Sequence, residues 1–234
     1  MQPSVDEELA RGREDDGRPA QPVLIRITHW ANLVLFTIMA GSGLRILLAY
    51  PWLGPRGEDY GWYPLQGARP PMALTLGGWL AGARHWHFAF AWLFAANAVV
   101  YLVYLFASGE WRRRLFWPPR DARNAWETVL HDLRLRRTAP ASVGLYNGMQ
   151  RLTYTGVLAV APLLVLSGLA VLAPVQLPRL TALLGGYDGA RAVHLLVLWA
   201  LALFTVVHVV QVVLHPRTVV DMTIGGRAPR EAAP

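Results

Sequence analysis

Cysteine and lysine are both missing from the 234 residues. Without thiolates the chain can hold no disulfide, no thiolate zinc site and no iron–sulfur cluster of its own. Charge is scarce too, at 16% of residues against about a quarter in a typical soluble domain. Four long segments are almost bare of it. The 22 basic residues are all arginine and the net charge is +7. These arginines sit beside apolar segments, so a membrane surface accounts for the positive balance and nucleic acid is not an expected partner. Residues 1–22 also lack the apolar core and small-residue cleavage site of a signal peptide. They read as a disordered cytoplasmic tail.

What is abundant is apolar length: hydrophobic residues make up 54% of the chain, with ten tryptophans. A helix needs about 20 apolar residues to cross the hydrocarbon core. Four stretches qualify, at about Ile27–Tyr50, His87–Ala107, Leu152–Pro174 and Val193–His215. They are continuous runs rather than the alternation of a membrane barrel. The expected fold is therefore all-α, an integral membrane four-helix bundle occupying residues 23–226 and followed by a C-terminal tail at 227–234. Arginine is concentrated in the N-terminal tail, in the central segment from Arg112 to Arg151 and after Arg217. The other connections hold only Arg56, Arg69, Arg84, Arg179 and Arg191. The positive-inside rule then puts both termini in the cytoplasm. Between Asp121 and Arg137, apolar residues recur at helical spacing among charges, as in a short helix lying on the cytoplasmic membrane surface or on a soluble partner. The connection from Pro51 to Ala83 is long enough to cover the outer helix ends or to receive a partner.

The chain also resembles itself. Arg26-Ile27-Thr28 and Arg151-Leu152-Thr153 open the first and third spans, and each is followed sixteen residues on by Ser-Gly-Leu, at Ser42 and Ser167. Gly82 to His87 and Gly189 to His194 share Gly-Ala-Arg-x-x-His, and a Leu-Gly-Gly precedes each. The repeat pairs His87, rather than nearby His85, with His194.

Ionisable residues inside a membrane are costly and are candidates for function. His194 and His208 lie fourteen residues apart in the fourth span. That interval turns a helix about 1,400 degrees, roughly 40 short of four full turns, with a rise of about 21 Å. One helix face thus offers an imidazole near each membrane surface. By depth, His87 matches His194 on the outer side and His29 matches His208 on the cytoplasmic side. Two histidine pairs at two depths suit two haems b, since iron in a flat macrocycle takes two axial nitrogens. Tetrahedral zinc wants three or four ligands close together. Gly41, Gly43 and Gly168 would let a flat ring approach the backbone. Arg84 and Arg191 precede the outer ligands by one turn and suit anionic propionates, as do Arg45 for the outer haem and Arg26 for the inner one. Headgroup anchoring is the plainer role for each of these arginines. His215, at the membrane edge, is assigned to the surface near quinone or lipid headgroups. It remains an alternative to His208, as His85 does to His87, and His131 falls in the polar central loop.

With Arg26-Ile27-Thr28-His29-Trp30, His87-Phe88 and the fourteen-residue histidine pair in place, the chain resembles the di-haem cytochrome b family. That family comprises b-type cytochrome subunits of Ni/Fe-hydrogenases, formate dehydrogenases and thiosulfate reductases. The resemblance runs from about Arg26 to Gly226. It implies an outer haem held by His87 and His194, an inner haem held by His29 and His208, and electron transfer between an extracytoplasmic oxidoreductase and the quinone pool in the bacterial cytoplasmic (inner) membrane. The segment from Gln211 to Gly226 is similar to the branch whose partner is a molybdenum enzyme of sulfite-oxidase type. A haem-free membrane anchor explains the spans but not the matched depths. A transporter would want mid-membrane helix breaks and polar residues along a path. Only Pro162 offers a break, and the spans contain no acidic group. No nucleophile, acid–base pair or nucleotide loop stands out, so no substrate catalysis is expected from this chain alone.

Overall fold

A computed structural model describes residues 20–55, 58–138 and 145–226. Four of its helices are long and apolar enough to cross a membrane: α1 (Val23–Leu47), α2 (Leu80–Ala107), α5 (Gly148–Leu172) and α7 (Gly186–Leu214). The short α3 (Trp111–Arg114) and α4 (Pro118–Asp132) lie between α2 and α5, α6 (Pro178–Leu183) precedes α7, and α8 (Arg217–Ile224) follows it. Among the described residues there is no strand, and the protein is an all-α membrane helical bundle. Large apolar side chains such as Trp92, Val103 and Leu203 stand more than 60% exposed on the long helices. Such surface belongs in lipid, where a helix alone satisfies its own backbone.

The spans begin four to seven residues before their apolar runs do, because local chemistry starts each helix early. Gly77-Gly78 stands before α2 and Gly185-Gly186 leads into α7, with φ between +67° and +101° at all four, a region open mainly to glycine. Before α5, Asn147 and Gln150 form a reciprocal cap: the Gln150 amide donates to Asn147 Oδ1 at 2.8 Å and the Asn147 amide to Gln150 Oε1 at 3.1 Å. α4 begins at Pro118-Pro119, where the missing amides cost nothing. It therefore starts earlier than the charged pattern from Asp121 to Arg137 suggests, and it ends at Asp132. Pro162 lies inside α5 without ending it, so the expected break in the third span is not there.

The chain divides into two compact units. The first comprises the residues up to Ile27, Tyr101–Leu158 and those from Val212 onward. Its interior is unusually polar. Arg114, 4% exposed, donates to Glu110 Oε2 at 2.8 Å, to Gln21 Oε1 at 3.0 Å, to the Tyr146 hydroxyl at 2.9 Å and to the Ala20 carbonyl at 2.8 Å. Buried Asp121 pairs with Arg120 at 2.7 Å and accepts the Trp117 amide at 2.8 Å. Burial pushes the Asp121 carboxyl up. The Arg120 and Trp117 hydrogen bonds, with the charges of Arg151 and Arg120, outweigh it and hold the group below the usual carboxylate range. Of the N-terminal tail, residues 1–19 lie outside the described residues, as do the C-terminal residues 227–234. Ala20 and Gln21, assigned by sequence to the disordered tail, are buried because the Arg114 guanidinium binds both.

The second unit comprises Thr28–Val100 and Ala159–Gln211. In it the long connection after α1 folds down on α7, with Leu53 and Tyr63 packed on Ala192 and Leu195. The Gln66 side chain bridges the Leu53 amide and carbonyl and the Tyr60 carbonyl at 2.7–3.0 Å. This unit carries the four span histidines.

Candidate haem-binding histidine pairs

All four histidines lie roughly 9–12 Å along their helices from the nearer end. His87 and His194 are near the ends of α2 and α7 that receive the long connection, here called the loop side. His29 and His208 are near the opposite, termini-side ends of α1 and α7.

The rings meet two by two. His87 and His194 have ring centres 6.2 Å apart with planes at 74°. His29 and His208 have centres 5.9 Å apart at 68°. A metal–imidazole bond of about 2.0–2.1 Å, with the ligating nitrogen about 1.1 Å from the ring centre, sets two imidazoles on opposite sides of one metal about 6.3 Å apart. Both pairs fall close to that separation. Among the described residues no group of three or more His, Cys, Asp or Glu is placed to hold a metal ion. Each site thus offers two nitrogens and nothing more. That donor set leaves zinc short of ligands and suits an iron whose other four positions belong to a macrocycle.

The loop-side rings are held from behind. Ser42 Oγ is 3.0 Å from His87 Nδ1, and Ser167 Oγ is 3.1 Å from His194 Nδ1. Neither serine is exposed at all. The Leu164 carbonyl lies 3.0 Å from His194 Nδ1, and the carbonyl of Met39, its counterpart in α1, lies 3.2 Å from Ser42 Oγ. The adjacent glycines lie against the same rings: a Cβ on Gly43 would meet His87 Cε1 at 3.3 Å and one on Gly168 would meet His194 Cε1 at 3.1 Å, tighter than an ordinary contact. Gly43 and Gly168 thus make room for the histidines, where the sequence suggested room for the haem. Gly41 faces Leu76 of the long connection instead. Ser42 and Ser167 are the residues that sequence reasoning passed over, although the repeat had marked both.

The termini-side pair is held differently. Phe204 stacks on His208 at 5.7 Å and 17°, and Trp30 meets His29 edge-on at 5.6 Å. Nearby in the chain, Asn97 donates to the Thr28 carbonyl at 3.0 Å and to Asn32 Oδ1 at 2.8 Å.

The remaining candidates have other partners. His85 is exposed, with Nδ1 2.9 Å from the carbonyl of Ala81 in its own helix. His215 lies just beyond α7, and its amide bonds the Val212 carbonyl at 3.2 Å. His131 lies 3.5 Å from the Asp132 carboxylate. Arg191 donates to the Tyr50 and Trp52 carbonyls at 3.3 and 3.1 Å, tying the long connection to α7. Arg84 lies over the Phe88 ring, Arg45 reaches Met72 Sδ at 2.9 Å, and Arg26 donates to the Thr223 carbonyl at 2.5 Å.

Comparison with known proteins identifies the family. Over 204 residues the chain is 38% identical to a protein of Azospira oryzae named as protein-methionine-sulfoxide reductase subunit YedZ1, covering 87% of this chain and 95% of the relative. Over 216 residues it is 23% identical to a protein of Bradyrhizobium diazoefficiens named as a Ni/Fe-hydrogenase B-type cytochrome subunit, covering 86% and 81%. No solved structure matches significantly. The family model of prokaryotic cytochrome b561 matches residues 20–225. With nearly the whole chain matched, this protein belongs to the prokaryotic cytochrome b561 family and is a membrane b-type cytochrome subunit of an oxidoreductase.

Proposed function

We propose that the chain binds two haems b, one between His87 and His194 and one between His29 and His208, and carries electrons between quinone and a partner oxidoreductase outside the cytoplasm. The observation that carries this reading is the facing of two imidazole pairs, 6.2 and 5.9 Å apart, with one member of each on α7. Bound there, haem supplies one-electron oxidation and reduction without taking up protons at its iron. The protein's share is to supply neutral imidazole nitrogens at fixed separation and to keep them apart from water inside an apolar helix bundle. Arginine distribution favours both termini on the cytoplasmic side, which turns the loop side, with its long folded connection, toward the partner. The first-mentioned relative favours a partner that reduces methionine sulfoxide in proteins. A reductase consumes electrons, so the direction here is from quinol toward the loop side.

Haem quantified per chain, with a dithionite-reduced minus air-oxidised spectrum, tests the cofactor. Two low-spin haems b are expected. His194→Ala should remove the loop-side haem alone and His208→Ala the termini-side haem alone. If either variant keeps both haems, or a purified wild-type chain supplied with haem holds none, the ligand assignment is wrong. For the partner, co-expression with a sulfoxide-reducing catalytic subunit should yield a complex that reduces peptide methionine sulfoxide on addition of a quinol analogue. Reduction proceeding equally well without this chain would remove it from that pathway.

A further inference from the structure

We infer that Ser42 and Ser167 are a matched pair of positioning residues, each fixing the tautomer and aim of one loop-side histidine and thereby setting the redox potential of the haem between them. The inference rests on the ligand assignment proposed above and goes beyond it, to how those ligands are tuned.

The assignment of protons follows from which groups can donate. A carbonyl oxygen only accepts. With the Leu164 carbonyl 3.0 Å from His194 Nδ1, that nitrogen must carry the proton. Each serine hydroxyl has one hydrogen, and it is already committed one turn back: Ser42 Oγ donates to the Ile38 carbonyl at 2.7 Å and Ser167 Oγ to the Leu163 carbonyl at 2.6 Å. Each hydroxyl oxygen therefore accepts from the imidazole, at 3.0 and 3.1 Å. With Nδ1 protonated, the lone pair of each ring is on Nε2, the nitrogen left to ligate a metal. A histidine whose second nitrogen donates a hydrogen bond is a more basic ligand, and loss of such a partner typically weakens metal binding about 10- to 100-fold.

The two arrangements coincide residue for residue. Ile38, Met39, Ser42 and Gly43 in α1 correspond to Leu163, Leu164, Ser167 and Gly168 in α5 at one constant offset. The same serine contact thus occurs twice, once behind each ring. Among the described residues no serine hydrogen bond of this kind holds either termini-side ring, so the two haems should differ in potential.

The experiment is a redox titration of each haem in the intact membrane protein, followed by visible and EPR spectra, for wild type, Ser42→Ala, Ser167→Ala, the double variant and Ser42→Thr. A more basic ligand favours ferric iron, so each alanine variant should raise the potential of the loop-side haem and the double variant should raise it further. Loop-side haem retention should also fall about tenfold. The low-spin EPR signal should change for that haem and not for the other, while Ser42→Thr, which keeps the hydroxyl, should restore the wild-type values. Retention of the termini-side haem reports that a variant is folded even where the loop-side haem is lost. Unchanged loop-side potential and EPR signal in the double variant would overturn the inference while leaving the ligand assignment intact. Failure of the assignment itself shows separately, as a His194→Ala protein that still holds both haems.

Discussion

The two histidine pairs have nearly the same ring separation, 6.2 and 5.9 Å, yet are built by different means. On the loop side the ligands are equivalents in the internal repeat, so each sits against its own serine and glycine. On the termini side the repeat has been broken. The position in α5 that corresponds to His29 is Tyr154, and the position in α2 that corresponds to His208 is Tyr101. Those tyrosines instead join the electrostatic surroundings of Arg114 and Tyr146. One pair is thus braced by hydrogen bonds, the other by the aromatic rings of Phe204 and Trp30. Equal geometry does not require equal support, and support is what adjusts a ligand's chemistry.

Substitutions can separate these effects. The largest change is expected away from both pairs in sequence: Arg114→Ala takes the donor from Gln21, the Tyr146 hydroxyl and the buried Ala20 carbonyl and leaves Glu110 paired with Arg113, and should cost about 3 kcal/mol, read as a lower melting temperature in detergent. If its haem spectrum per folded chain matches wild type, the contrast between the pairs is local to them. Gly168→Ala should push the His194 ring by a few tenths of an ångström, since its new Cβ would meet Cε1 at 3.1 Å, with the loop-side haem alone shifted in the visible spectrum. Phe204→Ala should do the converse, loosening His208 by about 1 kcal/mol and altering only the termini-side EPR signal. A shift of the loop-side signal instead would end the distinction drawn between hydrogen-bonded and aromatic support.

Two smaller effects belong to the first unit. The Asp121 carboxyl is held below its ordinary range, so its stabilisation is complete above about pH 4, its unfolded value, and is lost as pH falls through the lower folded value. Asp121→Asn should flatten that acid limb of a stability–pH profile. Arg134, just beyond α4, has φ +60°, a conformation that costs side-chain-bearing residues about 1 kcal/mol and that glycine adopts freely. Arg134→Gly should raise the melting temperature slightly, by about 0.5 kcal/mol of stability once the freer unfolded chain is counted.

The four spans and the histidine spacing were legible in sequence because both depend on periodicity and length alone. Helix starts were not, since Gly77-Gly78, Gly185-Gly186 and the Asn147–Gln150 cap extend helices into stretches that are not apolar. The repeat was visible but its chemistry was not: serine beside glycine in an apolar run looks like small-residue packing until a ring is seen against it. The arginines were the hardest to place. The Tyr50 and Trp52 carbonyls that bind Arg191 come from an irregular connection, and backbone acceptors there leave no trace in residue type.

Because α7 carries one ligand of each pair, the segment between His194 and His208 works as a ruler. Nearly every residue in it can be exchanged for another apolar one, but their number cannot change. A single inserted residue would swing one imidazole about 100 degrees away from its mate and lift it about 1.5 Å. Among descendants of this gene most of the thirteen intervening positions, Phe204 and Leu195 apart, should therefore drift among apolar residues while all thirteen admit neither insertion nor deletion, a constraint on length more than on letters.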